Sequence, residues 1–284
     1  MTARTTEIVL DGLAFPEGPR WREDRLYFSD QHDRRIVAMT PEGKSETVAE
    51  VPQQPSGLGW LPDGRMLIVS MLDRRVLRRE PDGSLVEHAD LSTLAPGCTN
   101  DMVVDTAGRA YVGNFGFDMY AGATPSPTCL IAVEPDGTAR VVAEDIRFPN
   151  GTVITPEGRT LLLGESMGAC VTAFDIADDG SLVNRRLFAK LDGVTVDGMC
   201  LDAEGAVWTA CPLTGRCLRI AEGGEVLDEV KGTHPGTFAC VLGGADRRTL
   251  YLCTAPTHEP ERTLAARQGR VEAVAVDVPG AGIP

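Results

Sequence analysis

The chain has 284 residues, of which 43% are hydrophobic and 24% are charged, and its formal net charge is -14. This composition is typical of a soluble globular protein with a sizeable core. The acidic charge argues against nucleic acid as a partner and favours divalent cations or neutral small molecules. No apolar run is long enough to span a membrane, so we expect no membrane partner.

Two features bear on where the protein resides. The N-terminal segment MTARTTEIVLDG lacks the long apolar core of a secretory signal peptide. The eight cysteines form no C-x-x-C pair, which argues against a zinc ribbon, and several lie in apolar strand-like runs such as FACVLGG. Reduced, buried cysteines of this kind are expected in a cytoplasmic protein.

Taken in chain order, the sequence repeats one unit six times. Each unit contains a turn followed by an apolar β-type run: REDRLYFSD (22–30), PDGRMLIVS (62–70), TAGRAYVGN (106–114), PEGRTLLLG (156–164), AEGAVWTAC (203–211) and GADRRTLYLCT (244–254). A second strand-like piece, another turn and a last short strand follow, with a period of roughly 40–50 residues. Four short strands per unit predict the blades of a β-propeller.

The predicted fold is therefore all-β, a single six-bladed β-propeller domain with four-stranded blades over residues 1–284. Two sandwich domains are the alternative, but they would not require six matching units. The N-terminal piece TEIVLDG has no blade of its own, and the last unit, ending in GRVEAVAVDV, is one outer strand short. We expect the N-terminal strand to close the last blade, because a closed ring removes exposed edges.

An oxygen-bearing residue stands eight positions before each turn glycine or its equivalent. The six residues in this register, called the ring residues below, are Glu17, Ser56, Asn100, Asn150, Asp197 and Thr237. Each opens the strand before the turn, which in a propeller is the innermost strand beside the axis. One Asn-Gly or Asp-Gly pair usually marks only a turn, but six polar residues in one register predict a metal site at one mouth of the channel. Oxygen ligands favour Ca²⁺, with Zn²⁺, Mn²⁺ and Mg²⁺ as alternatives.

The segments FPEG (15–18) and FPNG (148–151) are one frame used in two blades. The proline is expected to hold the residue before it extended. The next residue would deliver an oxygen to the axis, and the following glycine would leave the channel clear.

At these residues the chain resembles the gluconolactonase, regucalcin (senescence marker protein) and luciferin-regenerating-enzyme family. The resemblance covers essentially the whole chain and is strongest in EGPRW (17–21), NDMVVD (100–105), FPNG (148–151) and VDGM (196–199). It implies a six-bladed propeller with one catalytic divalent metal, held by Glu17, Asn150 and Asp197. Asn100 would be a fourth ligand or a substrate-binding amide. The related phosphofluoridate hydrolases use the same Glu, Asn, Asn, Asp set.

One position departs from the family. Sugar lactonases of the animal type carry an Arg two residues before the Asn matched to Asn100, and Cys98 occupies that position here. An Arg suits hydroxyl-rich or anionic ligands. Its absence argues against a gluconolactone substrate and favours a less polar lactone or ester.

The predicted activity is divalent-metal-dependent opening of a lactone by an activated water, as in a gluconolactonase-like carboxylic ester hydrolase. We expect Asp197 to be both metal ligand and general base, and Glu17 to neutralise charge. Asn100 and Asn150 would fix the geometry. The sequence contains neither a G-x-S-x-G nor an H-E-x-x-H motif.

Loops at the same mouth are expected to form the substrate wall. The longest insertion, between Gly116 and Thr128, is interpreted as a lid or as a surface loop with its own hydrophobic cluster. His234 is interpreted as an ordinary loop histidine or as a residue that reaches the mouth. The predicted substrate contacts are Asn100, Cys98, Asn114, Phe117, Tyr120, Ser56 and Thr237.

Other functional classes stay open, because fold alone does not decide function. The alternatives are a non-hydrolytic or phosphotriesterase-type enzyme on the same propeller and a calcium-binding regulatory protein. Condensing propellers of the strictosidine-synthase type lack the full metal set, so Glu17 together with Asp197 argues against that class. A protein-binding propeller would carry a motif such as Trp-Asp on every blade, and this chain does not. The natural substrate, the physiological metal and the oligomeric state are left open.

Overall fold

The computed structural model describes residues 4–283, whose architecture is the predicted six-bladed β-propeller. Residues 1–3 and 284 of the predicted 1–284 domain lie outside the described residues. Each blade is an antiparallel sheet, and in blades one to five the four main strands run outward from the axis in chain order. After β1 (Glu7–Leu13), blade one contains β2 (Pro16–Arg22), β3 (Arg25–Asp30), β4 (Arg35–Met39) and β5 (Ser45–Glu50). Blade two contains β6 (Pro55–Trp60), β7 (Met66–Ser70), β8 (Arg75–Arg79) and β9 (Leu85–Asp90). Blade three contains β10 (Thr99–Val104), β11 (Ala110–Asn114), β12 (Thr128–Val133) and β13 (Ala139–Ile146).

Blades four and five follow the same order, and blade six is completed from the other end of the chain. Blade four contains β14 (Pro149–Ile154), β15 (Thr160–Glu165), β16 (Cys170–Ile176) and β17 (Leu182–Lys190). Blade five contains β18 (Met199–Asp202), β19 (Val207–Cys211), β20 (Arg216–Ile220) and β21 (Val226–Lys231). Blade six contains β22 (Gly236–Gly243), β23 (Thr249–Ala255) and β24 (Gly269–Ala275). The six innermost strands are neighbours around the axis.

Ring closure occurs as the sequence predicts. Strand β1 pairs antiparallel with β24 and forms the outer strand of blade six. Just before β1, the Thr6 hydroxyl donates to the Glu272 carboxylate of β24 at 2.6 Å. The first described residues and the last blade are thus held together by both main-chain and side-chain hydrogen bonds.

The hydrophobic core lies between the faces of adjacent blades rather than on the axis. Blades two and three, for example, enclose a cluster that includes Val69, Met102 and Val112. Inner strands β10 and β14 are buried along their whole length, whereas outer strands such as β5 are largely exposed. The second strands, such as β7 and β11, are also buried along their whole length, which explains the apolar runs that they carry.

All eight cysteines are free thiols, six of them buried, while Cys98 and Cys170 are partly exposed. Cys200, Cys217 and Cys240 pack with Trp208 in the core between blades five and six. They act there as small apolar side chains.

Two elements were not predicted. Helix α1 (Pro260–Ala266) lies between β23 and β24, with Pro260 in its first turn, where the missing N–H is tolerated. Strand β25 (Gly280–Ala281) pairs with the inner strand β18, and Ile283 bridges to Ile154 at the end of β14. The C-terminal segment therefore lies between blades four and five, at the ends of their inner strands opposite the ring residues. No helix among residues 4–283 is long and apolar enough to cross a membrane.

Candidate active site

The ring residues lie at the start of the inner strands, where the strand pairing is irregular. In five blades the register with the second strand shifts just after Pro55, Pro149, Glu17, Thr99 and Thr237. Asp197 lies two residues before Met199, where β18 begins. β-Bulges next to active sites re-aim side chains that a regular ladder would point sideways. The local irregularity therefore allows side chains at these positions to turn toward the axis.

The glycines after the ring residues have a role that differs from the predicted one. A Cβ on Gly18 would lie 2.9 Å from the main-chain O of Ser56, and a Cβ on Gly151 would lie 2.4 Å from the main-chain N of Met199. Both contacts join neighbouring blades. These glycines therefore let the inner strands approach each other, so the axial cluster is compact; they are not there to clear the channel.

In the second frame, FPNG, the residue before the proline is also not extended as predicted. Phe148 has a φ of 61°, in the left-handed region that a bulky residue rarely occupies. Its ring stacks on Phe115, with ring centroids 4.7 Å apart. Strained backbone of this kind is often found at functional sites, and here it forms part of the cavity wall.

A cavity of about 580 Å³ opens at this mouth, and four ring residues line it: Glu17, Asn100, Asn150 and Asp197. The last three are almost fully buried, while Glu17 is partly exposed to the cavity. The structure therefore brings together the four residues that the sequence proposes as a metal site.

The two carboxylates are held in an environment that opposes their charge. The pKa of Glu17 is raised to about 8: burial is the largest cause, the Gly18 N–H partly counteracts it, Asp101 adds to the rise and Arg20 lowers the value. Burial followed by the charges of Glu17 and Asp101 raises the pKa of Asp197 well above its usual range. Without a cation, the pair therefore resists double ionisation.

The nearby guanidinium does not neutralise them, because it is engaged elsewhere. Arg20 forms a buried salt bridge with Asp101, with Nη2 2.6 Å from Oδ1, and its other nitrogens donate to the carbonyl groups of Leu58 and Pro19. No Lys or Arg in the described part of the chain forms a salt bridge with Glu17 or Asp197. Ionisation of both carboxyl groups therefore requires a cationic ligand.

Hydroxyl groups orient the two amides. Asn150 Nδ2 donates to Ser166 Oγ at 3.1 Å, and Ser166 Oγ donates in turn to the Val196 carbonyl oxygen at 2.6 Å. This chain of hydrogen bonds leaves Asn150 Oδ1 available as a ligand. Asn100 Oδ1 accepts from Ser56 Oγ at 3.3 Å and retains a second lone pair, while its Nδ2 can donate to a substrate.

These donors fit a hard divalent cation. Two carboxylates and two amide oxygens suit Ca²⁺, Mg²⁺ or Mn²⁺, and the double negative charge matches that of the ion. Within residues 4–283 there is no group of three or more His, Cys, Asp or Glu that could hold a metal. A metal here would therefore depend on the amide oxygens of Asn100 and Asn150.

Of the remaining predicted substrate contacts, only Tyr120 lines the cavity. Asn114 is fully buried and anchors the insertion: its Nδ2 donates to the Cys129 carbonyl at 2.9 Å, and its Oδ1 accepts from the Gly116 N–H and the Thr128 hydroxyl. Ser56 is outside the cavity lining, and its hydroxyl donates to Asn100 Oδ1.

Cys98, Phe117 and Thr237 lie outside the cavity lining as well. Cys98 packs against the core between blades two and three. Phe117 packs on Phe148, with centroids 6.0 Å apart. Thr237 is fully buried, and its hydroxyl has no hydrogen-bond partner among the described residues.

Sequence reasoning missed most of the cavity wall. One side consists of Phe15, His32, Phe238 and His258, and the other of Phe115, Met119, Tyr120 and Phe148. A signal was available: the positions two before the ring residues include Phe15, Phe148 and Thr195, and all three line the cavity. His234 is not in the lining and instead contacts the Gln268 carbonyl through Nε2 at 2.7 Å.

His32 is the wall residue with the most defined surroundings. Its ring stacks on Phe15 at 4.5 Å, and its Nδ1 lies 2.6 Å from the Thr263 hydroxyl of α1. Burial and the neighbouring His258 lower the pKa of His32 to about 4. The imidazole is therefore neutral at physiological pH, and this wall carries no positive charge from it.

Comparison with protein families identifies a match over most of the chain. Residues 15–256 match the model described as the SMP-30/gluconolactonase/LRE-like region. The matched segment contains all six ring residues.

Two curated relatives and one solved structure are similar over most of their length. The chain is 27% identical to a 6-deoxy-6-sulfogluconolactonase of Pseudomonas putida, covering 94% of this chain and 93% of the relative. It is 34% identical to regucalcin of Danio rerio, covering 84% and 82%. The crystal structure of a calcium-binding protein, regucalcin, from Agrobacterium tumefaciens superposes with a TM-score of 0.83 at 20% identity, covering 99% and 97%.

Proposed function

The chain belongs to the SMP-30/gluconolactonase/LRE-like family, and from that premise we propose that it is a divalent-metal-dependent hydrolase that opens a lactone. The similarity to a relative named as a lactonase supports lactone hydrolysis. We propose the metal dependence, and we propose as substrate either a sugar lactone or a less polar lactone or ester.

One observation carries the proposal. Glu17 and Asp197 lie together at the bottom of the cavity with raised pKa values and without a cationic side chain to compensate them. Buried like charges persist only where something stabilises them. A divalent ion held by Glu17, Asn100, Asn150 and Asp197 would do so, with Ca²⁺ as the first candidate.

A bound divalent cation supplies a Lewis acid that polarises a carbonyl oxygen and lowers the pKa of water. Asp197 would accept a proton from the attacking water as the water oxygen bonds to the lactone carbonyl carbon. When the ring C–O bond breaks, the same proton passes from Asp197 to the departing oxygen, which gives a hydroxy acid. Asn100 would donate from Nδ2 to the substrate, and Ser166 would keep Asn150 in position.

The test is proton release from a panel of γ- and δ-lactones. The protein is stripped with a chelator and refilled with Ca²⁺, Mn²⁺ or Zn²⁺ in separate samples. We expect turnover that requires metal and that falls about 10³-fold or more in Asp197→Asn, since a general base contributes about 10²–10⁴. Asp192→Asn is the matched control, because this exposed carboxylate lies in the connection that leads to Asp197.

Other outcomes would redirect the proposal. Tight metal binding without turnover of any lactone would contradict the hydrolase and favour a calcium-binding regulatory protein, as the similarity to regucalcin suggests. Turnover of phosphotriesters but not lactones would favour the phosphotriesterase alternative. The proposal includes a cytoplasmic location, which the eight free cysteines support.

A further inference from the structure

The cavity that holds the axial carboxylates has walls of unusual composition for a site that would bind a sugar. Its two sides are largely aromatic: Phe15 contacts Phe238 edge to face at 4.7 Å, and Phe115 stacks on Phe148 at 4.7 Å. The lining also contains the apolar side chains of Met119, Pro212 and Leu213. Hydroxyl groups placed against the four phenylalanine rings would lose water without gaining hydrogen bonds, which is unfavourable.

The charge balance of the cavity also disfavours an anionic substituent. None of the described residues that line it is a Lys or Arg, and His32 is neutral because burial and the neighbouring His258 lower its pKa to about 4. A divalent ion would cancel the two charges of Glu17 and Asp197 and leave no excess positive charge. Recognition of a carboxylate, phosphate or sulfonate normally needs such a charge.

The entrance is apolar as well. Leu213 is 74% exposed, Met167 is 48% exposed and Tyr120 is 45% exposed, and all three line the cavity. They lie in loops of three successive blades, so the apolar surface continues from the aromatic walls out to the rim. A continuous apolar surface at a cavity mouth is typical of a ligand-binding surface.

We infer that the cavity binds lactones whose ring carries an uncharged alkyl or aryl substituent. The ring lies over Asp197, and the substituent lies between the aromatic walls and reaches Leu213. This inference rests on the proposed lactone hydrolysis and names its substrate class. It excludes polyhydroxylated and anionic sugar lactones as preferred substrates.

The test uses the metal-loaded protein and a series of δ-lactones that differ only in an unbranched substituent of zero, three or five carbons, together with glucono-δ-lactone. We expect kcat/KM to rise about tenfold from the propyl to the pentyl compound, because two more methylene groups are buried. The pentyl lactone should exceed gluconolactone about a hundredfold.

Leu213→Ser tests the contact, with Leu187→Ser as the matched control. Leu187 is 58% exposed but lies on the outer strand β17, outside the cavity. We expect Leu213→Ser to lower kcat/KM for the pentyl lactone about tenfold and to change it less than twofold for the unsubstituted ring. The control should change neither value.

Faster turnover of gluconolactone than of the pentyl lactone, or no dependence on chain length, would overturn the inference and leave the hydrolase intact. If no lactone is turned over, calorimetry with two non-hydrolysable lactams decides the matter separately. Tighter binding of 6-pentylpiperidin-2-one than of gluconolactam, weakened in Leu213→Ser, would support an apolar ligand while the hydrolase proposal fails. Binding of neither lactam would overturn the inference as well.

Discussion

The carboxylate of Glu272 and the two axial carboxylates, Glu17 and Asp197, differ in how the protein stabilises them. Glu272, on β24, is fully buried and accepts hydrogen bonds from the hydroxyls of Thr6, Thr233 and Thr254 and from the Thr233 N–H. Glu17, at the axis, accepts one from the Gly18 N–H. The first carboxylate is compensated by the fold, whereas the second is not.

The difference separates structural from functional charge. The hydrogen bonds to Glu272 connect the segment before β1, the β21–β22 connection and β23, so this side chain joins the two ends of the ring. Glu17 and Asp197 have fewer hydrogen-bond partners within the described chain: Glu17 accepts from the Gly18 N–H, and Asp197 interacts with the Asn150 side chain and the Gly198 N–H. Paired carboxylates without a cationic side chain beside them suit a divalent cation, and this reasoning supports the metal in the proposed function.

The largest effect that would sharpen this comparison is a loss of stability at the structural carboxylate. Glu272→Gln should lower the free energy of unfolding by about 3 kcal/mol, because its amide group would face hydroxyl and N–H donors. Urea unfolding of the metal-loaded protein measures it, with the exposed Glu46→Gln as the control, expected within about 0.5 kcal/mol of wild type. If the free energy of unfolding is unchanged in Glu272→Gln, the hydrogen bonds to Glu272 do not distinguish it from the axial carboxylates.

A smaller effect is expected where a hydroxyl orients an axial amide. Ser166→Ala should weaken Ca²⁺ binding about tenfold, since Asn150 would lose the partner that fixes its amide. Calorimetric titration of the stripped protein measures the affinity. Ser166→Thr, which keeps a hydroxyl, should restore it, and Ser45→Ala on the exposed outer strand β5 should have no effect. Equal affinity in Ser166→Ala would mean that Asn150 is not a ligand.

The metal affinity should also depend on pH. Burial raises the pKa of Glu17 to about 8, so the stripped protein holds a proton there at pH 7 that the cation must displace. Ca²⁺ binding should therefore weaken at least about tenfold from pH 7 to pH 6. For the same reason the stripped protein should lose stability as the pH rises from about 5 to 8, because the unfolded chain releases this proton first. An affinity independent of pH would contradict the raised pKa.

The sequence predicted the ring of blades and the axial residues, but not the cavity walls. A repeat of six turns fixes the height and radius of Glu17, Asn100, Asn150 and Asp197, because equivalent positions in a closed ring are equivalent in space. It could not show that Ser56 would lie behind Asn100, since local strand irregularities decide where a side chain points.

Apart from Phe15 and Phe148 of the repeated frame, most of the cavity walls come from connections that share no motif. Leu213 lies between β19 and β20, Tyr120 lies in the long insertion of blade three, and His32 is held by α1 of blade six. Helix α1 has only seven residues, and β25 has two, so neither shows the periodicity that identifies longer elements. Their positions follow from tertiary packing rather than from local sequence.

The measurement that tests the central claim most directly is urea unfolding of wild type and Asp197→Asn, each with a chelator and with saturating Ca²⁺. If the axial carboxylates are held for a cation, the variant should be about 1 kcal/mol more stable than wild type without metal, because one buried charge is gone. With Ca²⁺ the order should reverse, since only wild type gains the free energy of binding. A variant that is less stable than wild type by the same amount in both conditions would contradict the account.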